Sequence, residues 1–322
     1  MNRWGLCFGP GWQSSIADLV DPARDAEAAG FDRLTTGEYA SDALTWLGSL
    51  AAATISIPIA TTIASIAVRH PTVLAEGVAA LRDLHGDRIE IGLGVSHPEI
   101  VTEGLGLRQP TLDDLESYTE VVRSTMRGEP SQSGRYTAPR HGRRRRVTTS
   151  APVLVASLAE QATMRAARYA DGVILTWSPA TWTRHLADSI RRQDAELGRH
   201  TRIWVVLPTL PHPDVQTARV ATAHHLRPYL ELGAYRRMLM TALDDRRRLD
   251  AARGASSDTE AADALGTDLL ASIAGVGDPD SVKEAVRRQV LAGADAVILY
   301  PLDTGAGWSD ALYRTIDHYA PT

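Results

Sequence analysis

Short runs of apolar, often β-branched residues punctuate this chain, and between them apolar positions recur every three or four residues. The runs fall at 5–8, 33–36, 56–63, 89–93, 153–156, 172–176, 203–207 and 296–300. Runs of that length that are apolar throughout suit strands covered on both faces, and the intervening period suits amphipathic helices. Eight such βα alternations predict an α/β fold, a (β/α)8 TIM barrel. An open doubly wound sheet is the competing arrangement, but no GxGxxG follows the first run, which removes the usual dinucleotide site.

A weak internal repeat supports the alternation. Ala28-Ala29-Gly30-Phe31-Asp32-Arg33-Leu34 returns as Arg168-Tyr169-Ala170-Asp171-Gly172-Val173-Ile174-Leu175 and again as Ala292-Gly293-Ala294-Asp295-Ala296-Val297-Ile298-Leu299. Each copy ends a helix on a small residue and opens an apolar run. Asp21-Pro22 and Asp278-Pro279 read as helix starts, a capping residue followed by proline. Two long connections break the rhythm. Residues 127–151 are rich in Arg, Ser and Pro and read as an irregular loop; residues 215–271 read as a helical insertion before the last strand. No boundary divides the chain, so 1–322 reads as one domain.

Residues 43–68 carry no charge and are long enough to span a bilayer. Gly48, Pro58 and seven Ser or Thr argue instead for a helix followed by a buried strand. The opening Met1-Asn2-Arg3-Trp4-Gly5-Leu6-Cys7-Phe8 is too quickly polar for a secretory signal. With 44% hydrophobic and 23% charged residues, the composition is globular. A net charge of −5 gives no basic field for nucleic acid or an anionic membrane. Cys7 is the single cysteine, which excludes an intrachain disulfide and a cysteine-rich metal cluster and fits a reducing cytoplasm. Lys283 is the single lysine, so Schiff-base chemistry has one candidate.

In a barrel of this kind the chemistry lies at the carboxyl ends of the strands. Those ends hold Phe8-Gly9-Pro10, Glu38-Tyr39, Thr61-Thr62-Ile63, Val95-Ser96-His97, Ala156-Ser157-Leu158, Trp177 and Tyr300-Pro301. The set is aromatic and hydroxyl-rich, which suits a flat, partly polar cofactor better than a metal. The ten histidines include no HExxH, and adjacent His224-His225 would diverge by about 100° on a helix.

Arg69-His70-Pro71, followed by Leu81-Arg82-Asp83-Leu84-His85-Gly86-Asp87-Arg88-Ile89-Glu90-Ile91-Gly92-Leu93-Gly94, resembles the luciferase-like oxidoreductases. The "Ala-Asp-Gly" at 170–172 and Ala274-Gly275-Val276-Gly277-Asp278-Pro279 resemble later parts of the same pattern, in the same order. The resemblance implies a barrel enzyme using coenzyme F420 or FMN, with the helical insertion read above, and a homodimer. It further implies that Ala60, Thr61, Thr62 and Ile63 back the cofactor ring, with a non-proline cis peptide at Thr62-Ile63. Ser157-Leu158-Ala159, after Ala156, would open a helix whose amides hold the cofactor phosphate; Ser157 as a simple N-cap is the alternative. Val95, Ser96 and Trp177 would complete the cofactor contacts, with Trp12 and Trp46 as further walls.

Three residues carry the expected catalysis. Glu38 meets the cofactor or pairs with a rim arginine. Tyr39 stands where relatives have histidine and, with an ordinary pKa of about 10, would act as an acid. His97, beside Glu99, titrates near neutrality and would relay a proton. The basic run Arg140-His141-Gly142-Arg143-Arg144-Arg145-Arg146 reads as a solvated loop, or as a partner for the anionic tail of F420. The expected activity is hydride transfer between F420 and a small organic substrate, with C=C or C=N reduction favoured. An FMN-dependent monooxygenase is one alternative. A catalytically silent subunit is another, since Tyr39, Thr62 and Leu158 replace the family's commoner histidine and glycines.

Overall fold

The structure, a computed structural model, describes residues 4–9, 15–38, 42–138 and 149–319. The first half runs β1 (Trp4–Phe8), α1 (Val20–Ala28), β2 (Leu34–Thr36), α2 (Ala43–Ala53), β3 (Ile59–Thr61), β4 (Ala64–Ser65), α3 (Pro71–His85), β5 (Ile89–Gly94), α4 (Leu112–Met126), β6 (Ser131–Ser133) and β7 (Tyr136–Ala138). The second runs β8 (Val153–Ala156), α5 (Glu160–Tyr169), β9 (Gly172–Thr176), α6 (Ala180–Leu197), β10 (Arg202–Pro211), α7 (Val215–Glu231), α8 (Gly233–Leu243), α9 (Arg246–Gly254), α10 (Asp258–Ile273), β11 (Gly275–Gly277), α11 (Pro279–Leu291), β12 (Ala296–Pro301) and α12 (Trp308–Tyr319).

Parallel pairing closes a ring in the order β1, β2, β3, β5, β8, β9, β10, β12 and back to β1, an eight-stranded barrel. Alternate strand residues point inward, and Cys7, Ala60, Leu154, Ile174, Trp204, Val206, Ala296 and Ile298 fill the interior as one packed cluster. The opposite faces, such as Leu6, Phe8, Ile59, Ile91 and Val153, join the helices in the outer core. The amino-terminal mouth is closed by an ionic cluster. Glu90 bridges Arg33 at 3.0 Å and Arg202 at 2.6 Å. The two guanidinium groups lie 4.3 and 5.6 Å from the Trp204 ring, where the cations meet its electron-rich face.

The uncharged 43–68 stretch folds as α2 and then β3, and among the described residues no helix is long and apolar enough to cross a membrane. The four helices α7–α10 occupy the insertion region and bury their own apolar core. Three expectations need correction. The helix expected to start at Asp21-Pro22 begins earlier: Ser15 and Asp18 form a reciprocal cap on a 3-10 turn that runs straight into α1. The strand expected over 56–63 is trimmed to Ile59–Thr61, because Glu27 takes hydrogen bonds from the amides of Ile55, Ser56 and Ile57 and holds them as a loop. The loop expected over 127–151 contains the β6–β7 antiparallel hairpin, turned by Gly134 at φ 54° and pinned by Tyr136 edge-on to Tyr118. Asp278 with Pro279 does cap α11 as expected.

Candidate active site

A cavity of about 350 Å³ opens at the carboxyl ends of the strands. Its residues come from seven stretches of the chain, and the Arg69-His70-Pro71 motif explains one wall. His70 caps α3 by accepting from the Thr72 amide, and Pro71 takes the first helical position, where a missing N–H costs nothing. Arg69 is thereby turned back toward β2, where its guanidinium grips both carboxylate oxygens of Glu38 and reaches Asp42, the cap of α2. Glu38 also accepts from the Ser65 amide at 2.7 Å and the Ala43 amide at 3.4 Å. Its own amide donates to the Ile63 carbonyl at 2.8 Å. Every lone-pair direction of this carboxylate is used, so Glu38 acts here as a clamp on the β3–β4 turn rather than as a free acid or base.

That turn carries the Thr62–Ile63 peptide, which is cis. The Thr62 hydroxyl lies 2.9 Å from that of Thr35 and its amide donates to the Thr36 carbonyl, so the segment is held on both sides. Thr62 and Ile63 line the cavity beside Gly94. A β-carbon on Gly94 would stand 2.8 Å from Ile63 Cδ1, so glycine is what leaves this surface flat.

Ala156, Ser157, Leu158, Ala159 and Ala162 form the next wall. The helix does not open at Ser157, as expected, but at Glu160, with Ala159 as an N-cap that offers no side-chain partner. The Ser157 amide is committed to Ile174 and its hydroxyl to Thr163, so Ser157 is not the cap. Helical bonding begins with the Thr163 amide on Ala159, which leaves the amides of the first turn of α5 free to meet an anion.

Val95, Ser96 and His97 follow β5, and Ser96 adopts a left-handed φ of 58° that redirects the chain over the cavity. Gln109 donates to the carbonyls of Val95 and Ser96 and holds this bend. His97 is half-buried against the Tyr235 ring, at 5.4 Å between centroids. Burial pulls its pKa below the ordinary 6.5, and nearby Glu99 only partly offsets this. At neutral pH the imidazole is therefore uncharged and able to accept a proton.

Of the expected site residues, Glu38, Thr62, Ile63, Val95, Ser96, His97, Ala156, Ser157, Leu158 and Ala159 share this one cavity. Ala60 and Thr61 do not line it. Ala60 belongs to the barrel's interior cluster, and the Thr61 hydroxyl is tied to Gly92 on the neighbouring strand. Trp177 is completely buried, packed on Tyr229 in the core of the helical insertion, and Trp46 lies in the outer core. Neither is a wall of the cavity. Tyr39, Trp12 and the arginine run at 140–146 lie outside the described residues. Sequence reading missed Thr176, which the strand-end rule would have found. It also missed Ala234, Tyr235 and Arg237 of α8, whose helical pattern gives no sign that one face looks into the barrel mouth.

The pattern described as luciferase-like monooxygenase matches residues 8–296. An F420-dependent glucose-6-phosphate dehydrogenase of Nakamurella multipartita is 27% identical over 212 residues, 60% of each chain. Across three curated relatives the alignments span only 30%, 60% and 54% of the relatives' own lengths. The coenzyme F420-dependent tetrahydromethanopterin reductase of Methanopyrus kandleri has the same fold, with a TM-score of 0.79 at 17% identity over 98% of both chains. The oxygenating constituent of 3,6-diketocamphane monooxygenase of Pseudomonas putida, solved with FMN, gives 0.68 at 15% identity over 99% of this chain and 96% of that one.

Proposed function

This chain belongs to the luciferase-like monooxygenase family, and from that premise we propose that it is an oxidoreductase that binds coenzyme F420 and exchanges a hydride with a small organic substrate. The observation that carries the reading is the convergence in one cavity of the flat Thr62–Ile63–Gly94 surface, the free first-turn amides of α5 and uncharged His97. A tricyclic ring needs a flat apolar support, and its phosphate-bearing tail needs an anion site; the Thr62–Ile63–Gly94 surface and the first-turn amides of α5 support that reading. The F420-dependent relatives favour the deazaflavin over FMN.

When bound, F420 supplies the hydride donor or acceptor, chemistry that no side chain can provide. The protein's part is orientation and proton handling. Thr62 and Ile63 would back the ring, with the amides of Glu160, Gln161 and Ala162 toward the phosphate. Glu38, held by Arg69, would keep the ring's support in place. His97 would accept the proton released as the substrate gives up its hydride, and return it in the reverse direction, in a pocket that Ile100, Leu112 and Ile174 make partly apolar.

The test is an anaerobic assay following the visible absorbance of F420 with panels of alcohols, sugar phosphates, imines and enones. F420-dependent turnover of any panel member, slowed at least about 100-fold in His97→Ala, is the expected result. Oxygen-dependent turnover with reduced FMN, and none with F420, would replace this reading with the monooxygenase that the family description favours.

A further inference from the structure

Among the described residues, the cavity is lined by one carboxylate and one guanidinium, and they are in opposite situations. Glu38 is neutralised by Arg69. Arg237, at an exposed position on α8, faces the cavity with no carboxylate in ion-pair reach. Its neighbour Arg236 turns away and pairs with Asp250 at 2.7 Å, as Arg227 does with Asp258 and Arg253 with Glu231. The guanidinium of Arg237 folds back over the start of its own helix: Nη1 lies 3.3 Å from where a β-carbon on Gly233 would stand. It thus stays beside Ala234 and Tyr235, the other two α8 residues at the cavity.

We propose that Arg237 is the anion receptor of this cavity, pairing with the carboxylate or phosphate oxygens of the molecule that fills its outer part. A guanidinium presents paired N–H donors that match such oxygens in a bidentate fork, and among the described residues no carboxylate competes for them. The selected substrate class is then anionic, unless the anion belongs to the cofactor's own tail. Assignment to the substrate rests on the F420 reading above; the presence of an anion site at Arg237 does not.

The experiment is a phosphorus NMR titration of inorganic phosphate into wild type, Arg237→Gln and Arg237→Lys, with and without saturating F420. Alongside it, fluorescence titrations use F420 and the deazaflavin chromophore lacking the phosphate tail. Arg237→Gln should weaken phosphate at least about tenfold on the F420-loaded protein, while Arg237→Lys retains most of the affinity. That result with unchanged F420 affinity assigns the anion to the substrate. A comparable loss of affinity for F420 but not for the tail-less chromophore assigns it to the cofactor. Unchanged phosphate and unchanged F420 affinity in Arg237→Gln overturns the proposal. If wild type binds no F420, the proposed function falls, and the phosphate titration of the protein alone still decides the role of Arg237.

Discussion

Replacing Glu38 with Ala removes the carboxylate that joins Arg69, the Ser65 amide and the start of α2. The Glu38 and Arg69 side chains are only 9% and 11% exposed, so the arginine cannot turn to water when its partner is lost. Breaking a buried pair from one side costs about 3–5 kcal/mol. Asp42, 49% exposed, remains on Arg69 and places the expected loss near the lower end, about 3 kcal/mol. Thermal unfolding followed by circular dichroism should show a midpoint lowered by roughly 4 °C. The partner change Arg69→Met leaves a carboxylate without its cation and should cost a similar amount. The double variant should then be more stable than the sum of the two losses predicts, by about 2 kcal/mol. F420 affinity should fall with Glu38→Ala as well, because the Ser65 amide holds the turn that bears Thr62 and Ile63. A loss under about 1 kcal/mol, or strict additivity in the double variant, would refute the clamp.

Further predictions concern other parts of the barrel. Glu90→Ala leaves Arg33 and Arg202 facing each other at the amino-terminal mouth and should cost about 3 kcal/mol in denaturant unfolding. F420 titration should be unchanged by it, since the cluster lies at the opposite end from the cavity. Gly92→Ala would put a β-carbon 2.3 Å from the Thr61 carbonyl oxygen and 2.5 Å from Ile174 Cδ1. The expected loss is about 3 kcal/mol or more, read as a collapse of soluble yield and thermal midpoint. Acidification should destabilise the fold: burial holds His85, His97 and His225 below the ordinary 6.5, so below that pH the unfolded chain binds protons that the folded one resists. Thermal midpoints measured from pH 7.5 down to about pH 5 should fall, and His225→Asn should flatten the decline.

The barrel was legible because parallel strands buried on both faces are apolar throughout, and seven of the eight barrel strands begin within one residue of their expected starts. Capping chemistry was less so. Asp21-Pro22 has the composition of a helix start, yet the reciprocal Ser15–Asp18 cap upstream prevails. At the site, the strand-end rule found residues on β-strand termini, including Glu38, Thr62 and His97, because their placement follows from chain order alone. The family resemblance overreached at Ala60, whose position within β3 points it into the barrel interior. It also overreached at Trp177, whose left-handed φ of 55° carries the indole into the insertion's core. Tyr235 and Arg237 were illegible for a different reason. Their role depends on how α8 docks over the barrel mouth, a tertiary relation with no local periodicity to mark it.

The central claim is that this cavity receives a deazaflavin against the Thr62–Ile63 surface. Fluorescence titration of the purified protein with F420 and, separately, with FMN tests it most directly. The account predicts saturable F420 binding at one equivalent per chain, weakened by Glu38→Ala, and no saturable FMN binding over the same range. Saturable binding of FMN without F420, or of neither cofactor, would contradict it.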